Sequence, residues 1–399
     1  MWRRFSFLAL GALALTAACG SSALDGGPNF DLPTALSVGG AVLSSPRVQP
    51  IYFAGFPYGQ EIDTFLAHLQ TASYWQTVGA EYGIGALSVV PGFASTVMVP
   101  AMVTATDAQN LLGQTLQAMQ AATGATARTD TIYALFFGPD TALSIMGVTL
   151  CGTSHPSGFH DEWLINNVKL PVAVLPSCKV SDADPDLVGV NIITPSLSHE
   201  LIEAATDPYV HTDPAFLAID SDHALWAEAL SGAEVGDLCE NEMPSLINLP
   251  DVGFPVQRIW SNTSAHAGSG PCVPVPAGEI YFNAQASLPD KAQLDVGTGT
   301  SVTIRALNAS VGATVTSQVS VHGPPGAPTS LEVVAIELDD LGAALTDTPA
   351  MVKAQLGHTV SVPIAPMVAT KTGLVPLLVG AVDLSNFTVH FWVGAINRQ

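Results

Sequence analysis

Ser196-Leu197-Ser198-His199-Glu200-Leu201-Ile202-Glu203-Ala204-Ala205-Thr206-Asp207-Pro208 is the stretch on which the reading of the fold turns. Pro195 suits the first turn of a helix, because its missing N–H would have no partner there. Thr194 is placed to cap the helix and Pro208 to stop it. At about 100° per residue, Leu197, Leu201, Ala204 and Ala205 share one side, and His199, Glu203, Thr206 and Asp207 the other, with Glu200 at the edge. His199 and Glu203 are one turn apart, so their side chains lie one above the other and offer two positions to a divalent cation. Glu200 beside them is placed to take a proton from water, as in the H-E-x-x-H arrangement, although Glu203 replaces the second histidine of that pattern. The same spacing fits an ordinary solvated acidic face.

Strands and helices alternate outward from this helix. Val48–Phe53 reads as a strand, with Pro50 marking an end or edge. Glu61–Tyr74 carries Ile62, Phe65, Leu66 and Leu69 at helical spacing, and Thr106–Ala122 is a second helix. Residues 74–83 read as a connection, and 87–90 and 96–103 as strands. Thr131–Phe137 is a continuous apolar run rich in β-formers, which fits a buried strand, and Val172–Leu175 is a shorter one. The pattern predicts a layered α/β domain over residues 48–274. Between the last two strands, the loop from Cys151 to His160 carries two histidines, and His160 is a candidate for the site. Downstream acids, from Asp213 to Glu240, are the natural source of a third protein ligand. Zinc takes nitrogen, oxygen and sulfur ligands; calcium prefers all-oxygen shells, so His199 argues against it, but an acidic loop leaves calcium open.

Beyond the connector Pro271–Pro276 the chain changes character. Residues 292–296, 301–305, 317–321, 359–362 and the start of 386–393 alternate polar with apolar, separated by Gly, Pro, Asn and Asp. Such a pattern predicts an all-β sandwich over 275–399. It carries no recognisable chemistry: His322, His358 and His390 are isolated, and Gly297–Thr300 reads as a plain hairpin loop. Carbohydrate or protein binding is open to such a domain, but a fold does not supply a function.

The chain starts as an exported one would. Met1-Trp2-Arg3-Arg4 is basic, and Phe5–Ala14 is apolar but too short to span a bilayer. Leu15-Thr16-Ala17-Ala18-Cys19 resembles a bacterial lipobox, which implies removal of residues 1–18, acylation of Cys19 and a membrane anchor in the cell envelope; cleavage after Ala18 without a lipid is the alternative. Residues 19–47, rich in Gly, Ser and Pro, read as a flexible tether. With 48% hydrophobic and 12% charged residues the chain is not of the disordered class. Its 34 acids against 12 basic residues repel nucleic acid and anionic lipid, and suit divalent cations. With Cys19 assigned to the lipid, four cysteines remain for two disulfides in an oxidising compartment. Of three possible connectivities, the shortest loops join Cys151 to Cys178 and Cys239 to Cys272. No C-x-x-C pair points to a zinc site, and no G-x-S-x-G elbow points to a serine nucleophile.

Several of these stretches, taken together and in order, resemble the plant exordium (phosphate-induced) proteins and their bacterial secreted relatives. They are Ile51-Tyr52-Phe53, Thr131–Phe137, the Cys151 loop ending in His160, Ser198–Pro208, Glu234-Val235-Gly236-Asp237-Leu238-Cys239 and Val256-Gln257-Arg258-Ile259-Trp260-Ser261. The resemblance covers most of residues 48–274 and nothing beyond; S-H-E-x-x-E-A-x-T-D-P is its most specific piece. It implies an extracellular protein with a zincin-like helix in a mixed α/β fold, and His199, Glu200, Glu203, Glu234 and Asp237 as site candidates. The function expected is a zinc-dependent hydrolase acting on peptide bonds or a cell-wall substrate, with Glu200 as base and His199, Glu203 and Glu234 or Asp237 as ligands. A non-catalytic surface protein, with a structural metal or none, is the alternative.

Overall fold

The computed structural model describes residues 30–145, 148–150, 158–177, 189–230, 232–296, 300–338, 350–367 and 370–399. The lipobox with Cys19, and the Cys151 and Cys178 pair, lie outside the described residues. The protein is mixed α/β, with strands in several sheets and few helices. It divides into two compact units, both discontinuous in sequence. The first comprises Ser37–Leu217 and Leu246–Ile259; the second takes residues up to Leu36, Ala218–Ser245 and Trp260–Gln399. Residues 218–245 and 260–274, expected with the first domain, therefore belong with the second.

The first unit is built on a mixed sheet of β1 (Arg47–Tyr52), β2 (Ser88–Val89), β3 (Phe93–Ala94), β4 (Thr131–Phe137), β5 (Phe159–Ile165) and β6 (Val168–Pro176). The order is β2-β1-β4-β6-β5, with β3 also on β1; all pairs are parallel except the β5–β6 hairpin. Every residue of β4 is buried, as its unbroken apolar run requires of a central parallel strand. Pro50 does not mark an edge. β1 is internal, but its neighbour is split: β2 pairs with residues 47–48 and β3 with 51–52. Pro50 falls in the gap, where the Gln49 side-chain amide donates to the carbonyls of Pro50 and Pro91.

The helices are α1 (Gly59–Thr71), α2 (Ser73–Gly79), α3 (Ala105–Thr123) and α4 (Ile193–Thr206). In α1 the four apolar residues at helical spacing are all buried. The stretch read as a connection after it forms α2 and a short 3-10 turn, because Tyr74, Trp75 and Val78 supply an apolar face. α3 starts on a capping box in which Thr104 accepts from the Asp107 N–H and the Asp107 carboxylate accepts from the Thr104 N–H. Residues 37–45, expected to be tether, instead hydrogen-bond along 205–215: Leu43 N–H donates to the Ala205 carbonyl and Val38 N–H to that of Ala215.

In the second unit, two sheets carry most strands. β7 (Asn283–Ala286), β10 (Val315–His322) and β13 (Thr359–Ile364) form an antiparallel three-stranded sheet in the order β7-β10-β13. The other sheet adds β8 (Asp290–Asp295), β9 (Ser301–Ala309), β11 (Leu331–Glu337), β12 (Val352–Ala354), β14 (Gly373–Asp383) and β15 (Thr388–Arg398), in the order β8-β9-β15-β14-β11-β12. Only β9 and β15 run parallel in it. The alternating segments are strands; β11 and β14 were not legible because a strand buried on both faces loses its alternation. Cys239 and Cys272 are joined, with Cα atoms 5.7 Å apart. Among the described residues no helix is long and apolar enough to cross a membrane.

Residues 30–36 are likewise no loose tether. Ala35–Leu36 pair with Ala218–Ile219, and Phe30 packs edge-on against Tyr281. Asp31 meets Arg305, Gln285 and His223, and His223 also contacts Asp220 through Nδ1 at 2.7 Å. Burial alone would lower the His223 pKa, but hydrogen bonds to Asp220 and Asp31 and their charges outweigh it and push it up to about 9. The folded state thus holds the proton more tightly than the unfolded chain. The stabilisation is complete below the ordinary value of 6.5 and lost as pH rises through about 9, a loss of about 3 kcal/mol. Melting curves should show wild type falling across this window and His223→Gln, already weakened below it, staying flat; parallel profiles would refute the assignment.

Candidate metal centre

Helix α4 is held on its apolar side and at its start by the strand Pro255–Gln257. Ser198 Oγ donates to the Pro195 carbonyl at 2.7 Å and accepts from the Gln257 N–H at 3.0 Å. Tyr74 OH donates to the Gln257 carbonyl at 2.6 Å. Thr194 is not the cap: a 3-10 turn over Gly189–Ile192 leads into the helix, and Thr194 Oγ1, inside the first turn, donates to the Pro255 carbonyl. The helix ends at Asp207, whose N–H donates to the Glu203 carbonyl. Asp207 Oδ1 accepts from the Ala215 N–H, fixing the chain that follows.

The polar side is buried too. Glu200, Glu203 and Asp207 are 5%, 2% and 0% exposed, and His199 is 8% exposed. A solvated acidic face, the plain alternative from spacing, is therefore not what the helix presents. What covers it includes the β5–β6 hairpin, whose turn is Asn166-Asn167, both at positive φ. Asparagine tolerates that conformation, and paired positive φ values match a two-residue hairpin turn. This places His160 on a strand opposite Ala173, not on a surface loop. The asparagine pair between two β-forming runs was the signal that would have found β5 in the sequence.

His160, Glu200 and Glu203 bring one ligand atom each to within 4.8 Å of one another. Glu203 Oε2 lies 2.9 Å from His199 Nε2 and 3.4 Å from His160 Nδ1; Glu200 Oε2 is 3.6 Å from the same Nδ1. Burial by itself would raise the Glu203 pKa, but the charge of His199 and the hydrogen bonds to both imidazoles hold the carboxyl well below the usual range. Asp207 goes the other way: burial raises it, against the Ala215 N–H and the charge of His160. Among the described residues its Oδ2 is buried without a hydrogen-bond partner.

Gly158, which the sequence reading passed over, touches this site. A Cβ there would lie 2.7 Å from Glu200 Cγ and 2.8 Å from Oε1, so the bare backbone is what lets the Glu200 side chain sit where it does. Glu234 and Asp237 belong to the second unit. There Asp237 opens a short helix, Asp237–Glu240, and its Oδ2 accepts from the Glu234 N–H at 3.4 Å. Gly232 packs against that carboxylate so closely that a Cβ would overlap it.

His160, Glu200 and Glu203 offer one imidazole nitrogen and two carboxylate oxygens, a buried donor set that could hold a metal ion. Models of known protein families and curated proteins, compared with the chain, give no match.

Proposed function

We propose that the first unit is the hydrolytic domain of an exported, lipid-anchored envelope protein, that it depends on a divalent metal, and that peptide or related amide bonds are its substrates. The observation that carries the reading is the burial of His199, Glu200 and Glu203 on one helix beside His160. Side chains that serve only solubility are not taken out of water at this cost. His199 and Glu203 hold the ion, which when bound supplies Lewis acidity to a substrate carbonyl. Glu200, braced by Gly158, takes a proton from the attacking water and returns it to the leaving amine. We read the unit as zincin-like, in keeping with the exordium resemblance, and the second unit as a β-sandwich accessory to it.

A second reading is favoured by the same burial. Side chains only 3–10% exposed suit an ion that is purely structural, and several carboxylates around one zinc weaken its Lewis acidity. Glu200→Gln separates the two. With zinc present and a peptide library as substrate, wild type should cleave, and the variant should lose about 100- to 10,000-fold in rate while keeping its metal. Equal rates, or no cleavage by metal-loaded wild type, would leave the structural reading.

A further inference from the structure

We infer that the tip of the β14–β15 hairpin in the second unit is a second membrane contact, laid into an uncharged lipid surface beside the N-terminal anchor. The inference rests on the anchored reading above and not on metal or hydrolysis. Leu384-Ser385-Asn386-Phe387 joins the two strands, carries no charge and is exposed throughout. Phe387 and Leu384 are 72% and 51% exposed. Met243, 51% exposed, reaches the same end of the unit, since it exchanges two backbone hydrogen bonds of 3.1 Å with Val389. Ile280, also exposed, precedes Tyr281, whose ring centre stands 4.5 Å from that of His390. Of the acids flanking these residues in sequence, Asp383 and Glu242 are buried and Glu279 is half-buried. Single exposed apolar side chains are ordinary, but four gathered at one end of a unit mark an interaction surface.

The tip is ordered before it meets a partner. Asp383 Oδ1 accepts from the Ser385 N–H at 2.9 Å and Asn386 Oδ1 from the Thr388 N–H at 3.0 Å, which lowers the entropy lost on docking. Phe387 sits at φ 58°, a left-handed backbone that asparagine or glycine takes at lower cost. An aromatic ring held there and turned to water serves contact rather than folding. Charge and chain length choose the occupant. With 34 acids against 12 basic residues the protein is repelled by anionic lipid, and an uncharged tip gains nothing from it. Leucine and phenylalanine side chains suit the boundary between headgroups and acyl chains. Phe30 is eleven residues from Cys19, a reach of at most about 40 Å. Trp392 Nε1 donates to the Asp31 carbonyl at 2.8 Å, while Phe30 packs on Tyr281, which packs on His390. From Asp31 back to Phe30 the contacts thus step along β15 toward the tip. An acylated Cys19 keeps this end of the unit within reach of the bilayer.

The test is flotation of the chain from Gly20 onward, which lacks the acylation site, with phosphatidylcholine vesicles at millimolar lipid. Wild type should float with the vesicles, and Leu384→Ser/Phe387→Ser should lower its partition coefficient at least about tenfold. Phe387→Asn alone should weaken partition while melting no lower than wild type, because asparagine suits the left-handed backbone; this separates lost contact from lost folding. Mixing in anionic lipid should weaken wild-type binding. Equal partition of wild type and double variant, no partition by either, or binding that grows with anionic lipid overturns the inference. A wild-type dimer that the double variant dissolves overturns it too, and makes the tip an interface between copies. The mass of the full chain expressed with its leader reads the anchor separately. An unacylated Cys19 together with tip-dependent partition leaves the contact standing and sinks only the anchor; an acylated Cys19 without tip-dependent partition does the reverse.

Discussion

Arg398→Met is expected to destabilise the second unit by about 3–5 kcal/mol. Arg398 ends β15 and is buried with Glu337 at the end of β11. Its Nε donates to Glu337 Oε1 at 2.8 Å, a second guanidinium nitrogen meets the same carboxylate, and Nη1 donates to the Ser310 and Ala313 carbonyls at 2.9 and 2.6 Å. β14 lies between the two strands, so this pair ties together three of the sheet's six. Methionine fills much of the same volume but leaves the Glu337 charge buried with, among the described residues, the Met367 N–H donating to it from outside the pair. Adding Glu337→Leu should restore most of the loss, because the cost lies in the stranded charge more than in the missing bond. Hydrogen exchange of the β14 and β15 amides in each variant would read this directly. A single variant within about 1 kcal/mol of wild type would class the pair with exposed ones.

The second large effect is expected from zinc. At a free concentration 1,000 times its Kd, zinc should stabilise the first unit by about 4 kcal/mol, and a chelator should remove the gain. The physical source is the polar side of α4, where three carboxylates are buried beside two imidazoles. A dication relieves the repulsion between Glu200 and Glu203 while leaving the imidazoles neutral. His199→Ala should abolish the zinc response in calorimetric melting while the transition of the second unit stays in place. Superimposable scans with zinc and with chelator would mean that the cluster holds no ion.

Much of this was legible in the sequence, and the misses are instructive. Helices α1 and α3 and strand β4 were plain, because each has one periodicity and one environment. α4 was legible as a helix, but its burial was not. A polar stripe reads the same whether it faces water or a hairpin, and only the structure shows β5 lying over it. β5 itself, Phe-His-Asp-Glu-Trp-Leu-Ile, hides because its acids are used in contacts with the chain after α4: Asp161 meets His211, and Glu162 accepts from Thr212. Sequence reading therefore found the two candidate ligands that share a helix and left the one on a strand as a loop residue. The apparent tether fared worst, because composition alone cannot show that Phe30 and Leu43 are anchors.

Strand Pro255–Gln257, which grips Thr194 and Ser198, is the last part of the first unit to be made. Synthesised in order, the chain presents His160 about 95 residues, and His199, Glu200 and Glu203 about fifty residues, before the clamp that seats their helix. Helix α4 is consequently seated late. A truncated product ending in the second unit's 218–245 insert would carry all four side chains and still lack the backing of α4. This order leaves α4 without its backing strand until nearly the whole first unit has been made.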